Sequence, residues 1–113
     1  MEIASLYESL EYGIDRPKAK VLFNNDDVKE IRITFRKGQE MKEHKAGFPI
    51  VVEIVDGSID FGVNGERFIL EKGKLITLAS NVPHDLTALE DSIVRLSLNK
   101  SDDVNRPKQV IEQ

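Results

Sequence analysis

Asn64-Gly65 stands between two short apolar segments, and it limits the local fold more than any other pair in the chain. Both central residues of a type I′ turn need φ > 0, which Asn and Gly tolerate best, so the pair predicts a β-hairpin. Before it, Ile59, Phe61 and Val63 alternate along one strand, and after it Glu66 to Leu70 supplies the return strand. The same period of two runs through Glu30 to Arg36, with Ile31, Ile33 and Phe35 on one face. Pro49 opens an apolar run, Ile50, Val51, Val52, Ile54 and Val55, interrupted only by Glu53. Lys72-Gly73 turns into Lys74 to Leu78, Asn81-Val82-Pro83 leads to a strand over His84 to Leu89, and Glu90-Asp91 turns into Ser92 to Leu98. Many short strands with evenly spaced turns predict an all-β sandwich or barrel, and closure would hide the strand edges.

The first residues read differently. Ser5 and Glu8 have capping-box spacing, Leu6 and Leu10 share a helical face, and Gly13 followed by Asp15-Arg16-Pro17 stops the pattern. A short N-terminal helix is therefore expected in an arm over residues 1–16. A barrel over 17–99 and a polar C-terminal tail over 100–113 complete the organisation.

Composition narrows the classes. The 113 residues include no cysteine, which excludes disulfides and thiolate metal sites and favours a reducing, cytoplasmic setting. No apolar run reaches the roughly 20 residues a membrane helix needs, and the acidic start lacks the basic residues of a signal peptide. A formal net charge of −4 argues against a nucleic-acid partner, because phosphate recognition relies on clustered Lys and Arg. The seven glycines sit singly at turns, so no phosphate loop is formed. Neither histidine has the setting of a Ser-His-Asp triad or of a helical zinc protease.

Two spacings carry a family resemblance. Gly38, five residues, His44, one residue, Ala46, three residues, Ile50, six residues and Gly57 resemble the first motif of the cupins. Gly73, five residues, Ala79, one residue, Asn81, two residues, His84, three residues and Ala88 resemble the second. The resemblance spans about residues 30 to 98 and implies a cupin-type jelly-roll barrel, a double-stranded β-helix. It also implies that His44 and His84 fall on two of the four metal-ligand positions. Ala46 replaces the other His of the family, and Ile50 replaces its Glu.

Strand parity places His44, Ala46 and Ile50 on the inward face and turns Glu43 and Lys45 away. Glu53 faces outward unless a bulge intervenes, and Asp85 is out of phase with His84. Glu40 shares the parity of His44 but lies about 13 Å along an extended strand. The expected ligand-binding residues are therefore His44, His84, Asn81 and Arg95, with His44 and His84 as an incomplete metal set. Arg32, Thr34 and Arg36 line one strand face and Arg95 and Ser97 another, each readable as a solvated sheet face or as a grip on a carboxylate or sugar.

The expected function is binding of a small polar or anionic molecule in the barrel without a tightly held metal. Two neutral imidazoles could bind such a group, or one could serve as a general base near its ordinary pKa of about 6.5. The alternative is a metal-dependent cupin enzyme, a dioxygenase, an isomerase or a sugar- or organic-acid-processing enzyme. It would hold Zn, Fe, Mn or Ni weakly, and Glu40, Glu43, Glu53 or Asn81 would complete the ligands. A third reading is a structural dimer with a vestigial pocket. A homodimer is expected in any case, because the run from Ile50 to Val55 is apolar at both parities and its second face needs cover, from a partner chain or from the N-terminal helix.

Overall fold

Alternation decides which residues enter the core. In β2 (Val28–Phe35), Ile33 and Phe35 are buried in the hydrophobic core and Ile31 packs against it, while Glu30, Arg32 and Thr34 point to the other side of the sheet. In β5 (Ser58–Val63), Ile59, Phe61 and Val63 do the same, and in β4 (Ile50–Asp56) so do Ile50, Val52 and Ile54. Each such side chain contributes about 1.5–3 kcal/mol when taken out of water.

The computed structural model describes residues 1–100; the expected polar tail lies, beyond Lys100, outside the described residues. The remaining strands are β1 (Lys18–Asn24), β3 (Glu40–His44), β6 (Glu66–Glu71), β7 (Leu75–Leu78), β8 (His84–Ala88) and β9 (Ser92–Asn99). They form a five-stranded sheet in the order β1-β2-β9-β4-β7 and a four-stranded sheet in the order β3-β8-β5-β6. Every pair is antiparallel. The inner faces of both sheets share one core, which makes the all-β architecture that the turn spacing predicts and the jelly roll that the cupin resemblance implies. Asn64 and Gly65 carry φ of 55° and 77°, the turn their identities require. No helix among the described residues is long and apolar enough to cross a membrane.

The N-terminal helix does not form, and its absence has a physical cause. Ser5 Oγ accepts hydrogen bonds from the amides of Tyr7 and Glu8, so the cap is made, but Ser9 at φ 53° ends the turn. The carbonyls that helix continuation would need are taken from below. The Arg32 guanidinium donates to the carbonyls of Leu6, Glu8 and Ser9 at 3.4, 2.7 and 3.2 Å. Further along, Thr34 donates to the Glu11 carbonyl, and Arg36 and Gln39 both donate to the Gly13 carbonyl.

The arm is thus an irregular strap across the outer face of the five-stranded sheet. This corrects the reading of Arg32 and Thr34 as a solvated face: Arg32 is only 3% exposed and Thr34 only 1%. Ile93, the cross-strand partner of Thr34, is buried on the same side. The strap leaves the far end of the sheet uncovered, where Val51 is 36% and Leu75 63% exposed.

Candidate functional site

His44 ends β3 and His84 begins β8, and the two are direct partners across the antiparallel ladder. A bulge in β3 brings this about. Met41 pairs with Leu86 and His44 with His84, so three steps along β3 match two along β8. Met41 and His44 therefore share a face despite their odd spacing, and Met41 packs against the core. The same shift corrects the parity of Glu40. It pairs with Thr87, out of phase with the buried Leu86, and so turns away from the imidazoles.

The two rings lie with centroids 4.4 Å apart, tilted at 58°. His84 is 4% exposed and stacks parallel to Phe61 at 5.7 Å, whereas His44 sits at the open edge. Each Nδ1 meets the carbonyl two residues earlier, His44 with Lys42 at 2.7 Å and His84 with Val82 at 2.9 Å. A carbonyl only accepts, so each Nδ1 carries the hydrogen and each neutral ring keeps its lone pair on Nε2. Burial pushes the His84 pKa below the ordinary value. The neighbouring His44 adds to that, and the Val82 carbonyl and Asp85 oppose it.

Other sequence-predicted residues lie elsewhere or act through the backbone. Ile50 is buried in the core and Ala46 packs against it, so both remaining family ligand positions are apolar surface. Asn81 adopts φ 65°, its amide donates to the Ala46 carbonyl at 2.7 Å, and its side chain is exposed. It stitches the loop before β8 to the loop after β3. Arg95 does not join the imidazoles: it sits on the outer face of the other sheet, donating to Glu30 at 3.0 Å and to Glu53 at 3.4 Å. Glu53 is outward, as its parity predicts, and committed to that pair.

Two features escaped the sequence reasoning. Ser80 Oγ, beside Asn81, is buried with no hydrogen-bond partner among the described residues, and nothing distinguishes this serine from others in a turn-rich sequence. Arg67 lies across Gly62 and bridges Asp60 and Asp85 at 3.0 and 2.8 Å. A Cβ at Gly62 would collide with Arg67 Nη1 and Asp85 Oδ2, so the glycine makes room for the bridge. This bridge flanks an outer groove of about 450 Å³ that also touches Glu43, Glu66 and Pro83. The Asp60 half of the bridge lies within the Asn64-Gly65 hairpin, whereas the Asp85 half depends on the non-local pairing of β5 with β8, which the sequence does not announce.

Catalytic zinc takes three protein ligands and non-haem iron two His with a carboxylate. Among the described residues no group of three or more His, Cys, Asp or Glu side chains comes together, so the residues present do not fit such a centre. Two imidazoles with fixed tautomers can instead accept two hydrogen bonds, take a proton, or hold a cation loosely.

No protein-family model and no curated protein matches the chain. Solved structures do. An RmlC-like cupin protein from Desulfovibrio desulfuricans superposes with a TM-score of 0.82 at 19% identity, over 88% of this chain and 97% of its own. The chain has the cupin fold. An RmlC-like cupin from Shewanella frigidimarina gives a TM-score of 0.76 at 24% identity, over 88% of this chain and 92% of that one. An uncharacterized conserved protein with a double-stranded β-helix domain from Klebsiella pneumoniae gives 0.77 at 18% identity, over 88% and 91%. At these identities the likeness concerns the cupin fold alone, and what this chain does must come from its own side chains.

Proposed function

We propose that this cupin binds a small polar molecule at the His44–His84 pair and does so without a tightly held metal. The carrying observation is the shared hydrogen bonding of the two rings: both Nδ1 atoms are spent on carbonyls, so both Nε2 atoms are acceptors. Such a pair recognises a group with two O–H or N–H donors, such as a hydroxyl-rich compound. A naked anion would meet two lone pairs, and binding it requires a proton to be taken up with it. The lowered pKa of His84 keeps that ring neutral near pH 7 and favours the neutral, donor-bearing ligand. Asn81 contributes by holding the two loops together through its amide. A homodimer formed through the uncovered end of the five-stranded sheet and a cytoplasmic setting complete the proposal; exposed Val51 and Leu75 support the first and the lack of cysteine the second.

The second reading, a metal-dependent cupin enzyme, draws on the same fixed tautomers, since Nε2 lone pairs suit a divalent cation. Its obstacle is the rest of the set. Glu40 turns outward, Glu53 is paired with Arg95, and Ile50 fills the place where the family has Glu.

One experiment separates the two. Elemental analysis of the purified chain is paired with NMR titration of a panel of neutral sugars and hydroxy acids, on the parent protein and on His44→Ala. Well under one equivalent of metal, with shifts at residues 41–46 and 82–86 that His44→Ala abolishes, is the expected result. One equivalent of Zn, Fe, Mn or Ni, lost on His44→Ala, overturns it in favour of the enzyme.

A further inference from the structure

The strap and the sheet edge beneath it border a second, chemically distinct cavity that is open to solvent. Lys18 and Lys20 of β1 are cross-strand partners of Thr34 and Arg32 of β2, so all four side chains rise from one face. The strap passes over them, and a cavity of about 230 Å³ is lined by Ser9, Glu11, Lys18, Ala19, Lys20, Arg32 and Thr34. At about 30 Å³ per water it holds several waters or one small ion. Three cations thus face one carboxylate, Glu11, in a chain whose formal net charge is −4.

Glu11, an exposed side chain of the strap, already neutralises part of this cradle. Its carboxylate pairs with Lys18 at 2.5 Å, and the hydrogen bond and charge of Lys18, followed more weakly by Lys20 and Arg32, hold its pKa below the ordinary carboxylate value. The Lys20 side chain makes no hydrogen bond among the described residues, and Lys20 lines the cavity. Arg32, buried beneath the strap, adds a positive charge that surrounding water screens less than it screens the exposed lysines. Even with Glu11 in place, the lining carries three positive charges against one negative, which is the complement of a dianion.

We infer that this cradle is a binding site for a small divalent oxyanion, a phosphoryl group or a short dicarboxylate, with the strap's Glu11 as the built-in competitor that the ligand displaces. Lys18 and Lys20 grip its oxygens and Arg32 supplies the field from below. Displacement of Glu11 removes one tether of the strap, so occupancy also loosens residues 9–12 from the sheet edge. The site lies on the outer face of the five-stranded sheet and makes no use of the histidine pair, so it stands or falls independently of the ligand proposed there.

The test is an NMR titration of the full chain with inorganic phosphate and, separately, with succinate, at ionic strength held constant with sodium chloride. Saturable shifts at Lys18 to Lys20, Arg32 and Thr34 are expected. Glu11→Gln should tighten binding about threefold or more, because the competitor loses its charge, and Lys20→Met should weaken it about tenfold. Lys20 is exposed, so an unchanged melting midpoint in phosphate-free buffer certifies that the variant is folded. The dianion that binds more tightly identifies the ligand as phosphoryl or dicarboxylate. Absence of saturation with both anions, or an affinity indifferent to both substitutions, overturns the assignment.

Discussion

His84 lies flat against Phe61, the two ring planes within 6° of parallel and their centroids 5.7 Å apart. The imidazole thus stacks on a core aromatic, and the ring of His44 is its second aromatic neighbour at 4.4 Å. A ring so enclosed gives up hydration that its charged form needs, and this is why burial leads the causes of its lowered pKa.

That relationship predicts a pH dependence of stability. Well above about pH 6.5 His84 is neutral whether the chain is folded or not, and it contributes no slope. As pH falls below that value the unfolded chain takes up the proton while the folded chain resists it. Stability is therefore lost through this window, at no more than about 1.4 kcal/mol per pH unit, and the loss levels off below the folded-state pKa. Urea denaturation between pH 5 and 8 should show the slope in the parent protein and a flatter one in His84→Phe, which keeps the stack on Phe61. Equal slopes would remove His84 from the account.

The Arg67 bridge predicts a coupled pair. Gly62→Ala puts a methyl group where the guanidinium lies, so Arg67 must swing away from Asp60 and Asp85. The far end of a long, half-exposed side chain can move, and the substitution should lower the melting midpoint by a few degrees rather than unfold the barrel. In an Arg67→Ala background the same substitution meets only Asp85, and its effect should shrink. A full-sized effect in both backgrounds would place the cost in the β5 backbone instead.

How far the sequence disclosed this molecule depends on how local each cause is. The hairpin at Asn64-Gly65 was legible because two neighbouring residues dictate it, and the inward sets of β2, β4 and β5 because period two is written along each strand. The N-terminal helix failed because its competitor is Arg32, more than twenty residues away, which takes the carbonyls the helix would use. Glu40 was misplaced because a single bulge in β3 reverses parity, and no residue type there announces it. The histidine pair was visible only through motif spacing. Which nitrogen of each ring is free became visible only with the backbone carbonyls of Lys42 and Val82 in place.

Arg32 carries the next prediction. Arg32→Met keeps the aliphatic stem that packs under the strap but removes every donor to Leu6, Glu8 and Ser9. Three partly buried carbonyls then lose a charged partner, and a loss of about 2–3 kcal/mol is expected by urea denaturation. The strap should also become a protease target, with cleavage confined to residues 1–17 at concentrations that leave the barrel intact. Protection equal to the parent's would mean that Thr34, Arg36 and Gln39 hold the strap unaided.

The last prediction concerns the uncovered end of the five-stranded sheet. β4 buries Ile50, Val52 and Ile54 inward, and on its other face it presents Val51 to solvent, with Leu75 beside Glu53 across the β4–β7 ladder. A shallow groove of about 540 Å³ runs along this end between Val28, Pro49, Val51, Thr77 and Ser97. The strap reaches only the β2 side, so its contacts do not remove this surface from water. A two-fold pairing of copies would set Val51 and Leu75 against their equivalents, and Glu53, which lies beside Leu75, has its charge already paired with Arg95. Light scattering at micromolar concentration should therefore report a dimer. Val51→Glu, which places like charges near the two-fold axis without touching the core, should convert it to a folded monomer. A parent protein that is already monomeric at those concentrations would leave the apolar outer face of β4 without this partner and defeat the dimer.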